Sequence, residues 1–71
     1  MFVLRLEHKT GGVRPIFFAG GTGIGGGQWC YDQVSAAQFP VPDLDLQNAL
    51  MGYYRWENVY KNYLWDWIEV Q

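Results

Sequence analysis

Phe2, Leu4 and Leu6 alternate with Val3, Arg5 and Glu7 at the start of the chain, the two-residue period of a strand with one buried face. The alternation stops at Lys9 to Gly12, and Thr10, Gly11 and Gly12 suit a short loop that needs residues at positive φ. A second apolar run, Val13 to Ala19, follows. Pro15 has no amide hydrogen to give a ladder, so this strand is expected at an edge or beginning after the proline. Residues 2–19 therefore predict a β-hairpin.

Residues 20–27 hold six glycines in eight positions. Such a segment has high backbone entropy and little to bury, which predicts a connecting or ligand-shaped loop. Gln28 to Phe39 fits a short helix that turns Trp29, Val34 and Ala37 inward, after which Phe39, Pro40, Val41 and Pro42 must run extended. The firmest helix start is Pro42-Asp43-Leu44, with Asp43 as N-cap and Asp45 favoured in the first turn. Leu46, Ala49, Tyr53, Trp56 and Tyr60 continue at spacings of three and four, so the main helix is expected over 44–61. Gly52 weakens it by about 1 kcal/mol relative to Ala. Beyond it the helix either runs on to Trp67 or stops with Asn62 as a left-handed cap, leaving 63–70 as a strand. The aromatic and β-branched composition of the end favours the strand. That strand would put Trp65 and Trp67 on one face and Leu64, Ile68 and Val70 on the other, and would give the N-terminal hairpin a third partner. The expected fold is α+β: a single small domain over 1–71, with the hairpin and C-terminal strand packed on one main helix.

At 71 residues the chain lies near the lower limit of independent folding, where only about 60% of the unfolded surface is buried. Cys30 is the one cysteine, so an intramolecular disulfide cannot help. Aromatic mass can: four Trp, five Tyr and four Phe make up 18% of the chain, and each such ring buries on the order of 150–250 Å². A lone cysteine points to a reducing compartment, and the expectation is a cytoplasmic protein. Arg5 and Glu7 interrupt the first apolar run, unlike the core of a signal peptide. No stretch reaches the roughly 18 apolar residues of a membrane helix.

The net charge of −2 is unevenly distributed, with Arg5, Lys9 and Arg14 against Glu7 early and six acids against Arg55 and Lys61 after Tyr31. This acidic balance argues against nucleic acid as the partner. Binding a single strand would need a local platform of Phe17 or Phe18 beside Arg5, Lys9 and Arg14.

Gly21, Gly23 and Gly26 satisfy GxGxxG directly after an apolar run, where glycines let backbone approach a pyrophosphate. Phe18, Ala19, Gly20, Gly21, Thr22, Gly23 and Ile24 resemble the AGGTGI segment in the nucleotide-binding half of ferredoxin reductase-like flavoenzymes. The resemblance covers seven of 71 residues and implies a parallel sheet with a helix opening after the glycines. Here three more glycines follow Ile24, and the preceding hairpin implies antiparallel pairing. No Lys-Ser or Lys-Thr pair follows, which excludes a Walker-type loop. Asp43 and Asp45 are explained by helix capping, since the apolar residues behind them do not suit a calcium loop. His8 and Cys30 form no metal-ligand or nucleophile spacing. No catalytic residue, cofactor or metal is therefore expected.

The remaining chemistry is aromatic. Tyr53, Trp56 and Tyr60 suit a core stripe, whereas Tyr54 cannot share the face of Tyr53 in either helix or strand. Exposed Tyr and Trp rimmed by acids suit protein recognition, where rings supply anchors and charge steers the encounter. The expected partner-binding set is Tyr54, Trp56, Glu57, Trp65, Asp66, Trp67 and Glu69. The expected function is a non-enzymatic protein-binding module, with a homodimer as the alternative cover for the same rings. In size and composition the chain is similar to phage or mobile-element inhibitors of host machinery, a likeness that no motif carries. The competing functions are a nucleotide site at residues 20–27 and a single-strand binder.

Overall fold

The computed structural model describes residues 1–21, 27–55 and 61–71. The opening alternation forms β1 (Phe2–His8), with Leu4 and Leu6 fully buried on one side and Glu7 in solvent on the other. After the turn, where Gly11 and Gly12 take φ of 71° and 80°, β2 (Ile16–Gly20) starts one residue past Pro15. The proline thus stands outside the ladder it could not join. Short β3 (Gln28–Cys30) and long β4 (Tyr63–Glu69) complete a sheet of order β3-β2-β1-β4, antiparallel at every pairing. One helix, α1 (Leu44–Tyr54), packs on one face of it, which makes the fold α+β. No helix among the described residues is long and apolar enough to cross a membrane.

β1 and β4 pair along their whole lengths, from Phe2 opposite Glu69 to His8 opposite Tyr63. β1 and β2 pair only at Arg5–Phe17 and Leu6–Ile16, because a distant segment enters where they diverge. The Ala37 amide donates to the Phe18 carbonyl at 2.9 Å, and Phe39 exchanges both backbone bonds with Phe2 at 2.7 and 2.8 Å. Residues 37–39 thus wedge between the two strands and satisfy edges that would otherwise be left open. This is the extended exit expected before Pro40, put to structural use.

The expected short helix within 28–39 does not form. Trp29 lies on β3, and only a single 3-10 turn, Gln33–Ser35, fits between that strand and the wedge. Val34, expected inward, is 93% exposed; Ala36 is buried in its place. Ala36 covers Val3 and Phe17 on the sheet face away from α1, which is why Val3 is buried despite its position on the polar side of the alternation.

Asp43 caps α1 as its sequence predicts: its carboxylate accepts from the Leu46 amide at 3.0 Å. The inward stripe is Leu46, Leu50 and Tyr54, with Leu50 buried against Leu4, Leu6 and Phe18. Tyr53, expected in the core, is 50% exposed, and Ala49 is exposed. The helix is rotated by about one residue from the expected stripe, because residues four apart, not three, meet the sheet at this crossing. The expected helix runs to 61; Trp56 and Tyr60 lie outside the described residues, while Lys61 and Asn62 have helical backbone. Positive φ among the described residues is confined to glycines, so Asn62 is not a left-handed cap. Its carbonyl accepts the Lys9 amide at 2.9 Å and leads directly into β4.

Candidate functional site

Antiparallel pairing of β2 with β3 sets Trp29 beside Phe18 and Cys30 beside Phe17. Alternation then places Ile16, Phe18, Trp29 and Tyr31 on the side of the sheet that faces α1. The final residue of α1, Tyr54, comes down over this corner, and its hydroxyl accepts the Trp29 indole N–H at 3.0 Å. The result is a cleft of about 230 Å³ between helix and sheet, lined by Ile16, Trp29, Cys30, Tyr31 and Tyr54.

Its walls are held from behind. The Trp29 ring meets the edges or faces of Phe18, Tyr54 and Trp65 at centroid distances of 5.5, 6.0 and 6.1 Å, all steeply inclined. Such edge-to-face pairs place the positive ring edge on the negative face. Tyr31, at the mouth, is 60% exposed, and the Arg14 guanidinium lies 4.8 Å from its ring centroid. A cation on an aromatic face is favourable, and here it puts positive charge on the rim of an acidic chain. The Cys30 thiol donates to the carbonyl oxygens of Asp32, at 3.3 Å, and Phe17, at 3.7 Å.

The partner-binding set expected from the sequence is divided. Tyr54 is a wall of the cleft and is partly buried, where the sequence suggested a solvent-facing ring. Trp65 and Trp67 share one face of β4, that of the helix, and pack on the Leu4, Leu6, Phe18 and Leu50 core. The Trp67 indole N–H donates to the Gln47 side-chain oxygen at 2.7 Å. The Trp65 indole nitrogen is buried with no hydrogen-bond partner. Asp66 projects from the opposite face, 3.5 Å from the Arg5 guanidinium that it faces across the β1–β4 ladder. Glu69 is exposed at the end of β4. Trp56 and Glu57 lie outside the described residues. Strand alternation therefore brings Tyr54, Trp65 and Trp67 to the helix side and sends Asp66 away from them.

Ile16, Trp29, Cys30 and Tyr31 were missed as site residues. Their one sequence signal is the spacing of Trp29 and Tyr31, two apart and so on one face if the segment is a strand.

The other proposed chemistries meet different geometry. Phe17 and Phe18 are buried, and Arg5 is engaged by Glu7 at 3.6 Å as well as by Asp66, so the stacking platform for a nucleic-acid strand is not formed. Gly23 and Gly26 of the glycine motif lie outside the described residues, but the chain enters antiparallel β3 at Gln28. The dinucleotide arrangement implied by the flavoenzyme resemblance needs a parallel sheet and a helix after the glycines. His8 accepts from the Thr10 amide at 3.3 Å and contacts the Thr10 hydroxyl at 2.7 Å, closing the β1–β2 turn. Among the described residues no three His, Cys, Asp or Glu side chains group as metal ligands would.

Comparison of the chain with models of known protein families, with curated proteins and with solved structures gave no match.

Proposed function

We propose that this chain is a small protein-binding module that acts by stoichiometric occupancy, and that the cleft between α1 and β3 receives an anchor side chain of its partner. The observation that carries the reading is the cleft itself, with three aromatic walls and a Trp29–Tyr54 hydrogen bond that preorganises them. Preorganised walls spare the ordering cost that weakens association. At about 230 Å³ the cleft is smaller than the roughly 300–1,000 Å³ of sites that enclose whole small molecules. It suits one large apolar side chain. Arg14 on the rim favours a carboxylate next to that anchor, and Tyr31 and Tyr53 offer flanking contact area.

Selection of a random peptide library on the immobilised protein tests the proposal. Enriched peptides should carry a large apolar residue beside Asp or Glu. Tyr31→Ala should abolish their binding while leaving the unfolding transition in place, and Arg14→Glu should remove the preference for the acid. Absence of enrichment, or enriched peptides that bind both variants as they bind the parent protein, refutes the assignment.

A further inference from the structure

The two edges of the sheet are unlike. β3 has three residues, and its ladder with β2 is irregular between Phe18 and Gly20; short, irregular edges resist the addition of another strand. β4 has seven residues in unbroken register with β1, contains no proline or lysine, and pairs on its outer side with nothing among the described residues. An edge of this kind is a template for pairing.

Which of its backbone groups face outward follows from the ladder. The Lys9 amide donates to the Asn62 carbonyl, and the Val70 amide donates to the Met1 carbonyl at 2.7 Å. Antiparallel bonding alternates, so Leu64, Asp66 and Ile68 also turn their amides and carbonyls to β1. Tyr63, Trp65, Trp67 and Glu69 turn theirs outward.

We propose that β4 pairs antiparallel with β4 of a second copy of this chain, about a two-fold axis at Trp65, joining two sheets into one of eight strands with both α1 helices on the same side. Charge selects both the occupant and the register. With the axis at Trp65, Lys61 stands opposite Glu69 of the partner subunit, and two-fold symmetry makes that pair twice. Both side chains are exposed and free to meet. Leu64 then faces Asp66 of the partner subunit, and Tyr63 faces Trp67 of the partner subunit. An axis one residue on, at Asp66, sets the two Asp66 carboxylates directly opposite each other, which is unfavourable. An axis at Trp67 leaves Lys61 without a counterpart. At Trp65 the outward amides and carbonyls of Tyr63, Trp65 and Trp67 all find partners.

Sedimentation equilibrium of the whole chain from about micromolar to about millimolar concentration, with hydrogen exchange across the same range, tests this. A monomer–dimer equilibrium is expected, with exchange at the Tyr63, Trp65 and Trp67 amides slowing as concentration rises while the Leu64 and Asp66 amides stay unchanged. Lys61→Glu and Glu69→Lys should each weaken dimerisation by about fivefold or more, and the double variant, which restores opposite charges, should recover it to within about twofold. Both positions are exposed, so circular dichroism should show folded protein throughout. A monomer over the whole range overturns the proposal. So does a dimer indifferent to both single reversals, or a double variant no better than the singles.

Discussion

Adding one methyl group at Gly27 should cost this domain a large share of its stability. Gly27 has φ of 78°, and a Cβ built there would stand 2.5 Å from Cε1 of Phe18, 3.0 Å from the Gly21 carbonyl oxygen and 3.2 Å from that of Gly20. Phe18 cannot swing aside. It is only 2% exposed, with its ring edge-to-face on Trp29 and stacked on Phe39. A left-handed backbone costs an L-residue about 1–2 kcal/mol, and overpacking a filled core costs about 1–3 kcal/mol. Restricting the unfolded chain returns about 0.4–1 kcal/mol. The net expectation for Gly27→Ala is a loss of roughly 2–4 kcal/mol, against a total of about 4–10 kcal/mol for a domain of this length. The melting temperature should fall by roughly 10–25 °C. The same substitution at Gly52 is the internal control, because a Cβ there meets nothing within 4 Å and the residue lies inside α1. Gly52→Ala should raise stability by up to about 1 kcal/mol. Urea titration followed by tryptophan fluorescence reads both. A Gly27→Ala variant within about 0.5 kcal/mol of the parent protein would show that Phe18 or the loop relaxes freely, and the reasoning would fail.

Two further outcomes follow from the polar groups beneath and before α1. Asp43→Ala removes the carboxylate that accepts from the Leu46 amide and should cost about 1 kcal/mol, read by chemical denaturation; no change would deny the cap any role. Trp67→Phe orphans the Gln47 oxygen, whereas Trp65→Phe deletes a buried N–H that has no partner. The first should therefore be the more destabilising by about 1–2 kcal/mol, and equal losses in a side-by-side urea titration would refute that ordering.

The strands with a clear period or a clear boundary were legible in the sequence. Leu4 and Leu6 alternate, Pro15 marks where β2 can begin, and the aromatic and β-branched end of the chain forms β4. β3 was hidden because three residues beside a glycine run cannot display a period. The phase of α1 was misread because Ala49 and Tyr53 continue the apolar spacing as well as Leu50 and Tyr54 do. What selects the second stripe is the Trp29–Tyr54 bond and the Gln47–Trp67 bond, tertiary pairings with no trace in local hydrophobicity. The cleft was illegible for a related reason: its walls come from β2, β3 and the end of α1, and only the register of the sheet brings them together.

The marriage of β1 to β4, and the insertion of Phe39 between β1 and β2, also bear on how the molecule is made. A nascent chain that has released only its first two strands holds a hairpin joined at Arg5–Phe17 and Leu6–Ile16. The long side of β1 still awaits residues 63–69. Folding must therefore wait for synthesis to deliver the far strand, and the barrier is dominated by closing the longest loops in the chain. Until then Leu4 and Leu6 have neither helix nor fourth strand above them, and truncated products should be the species that aggregate.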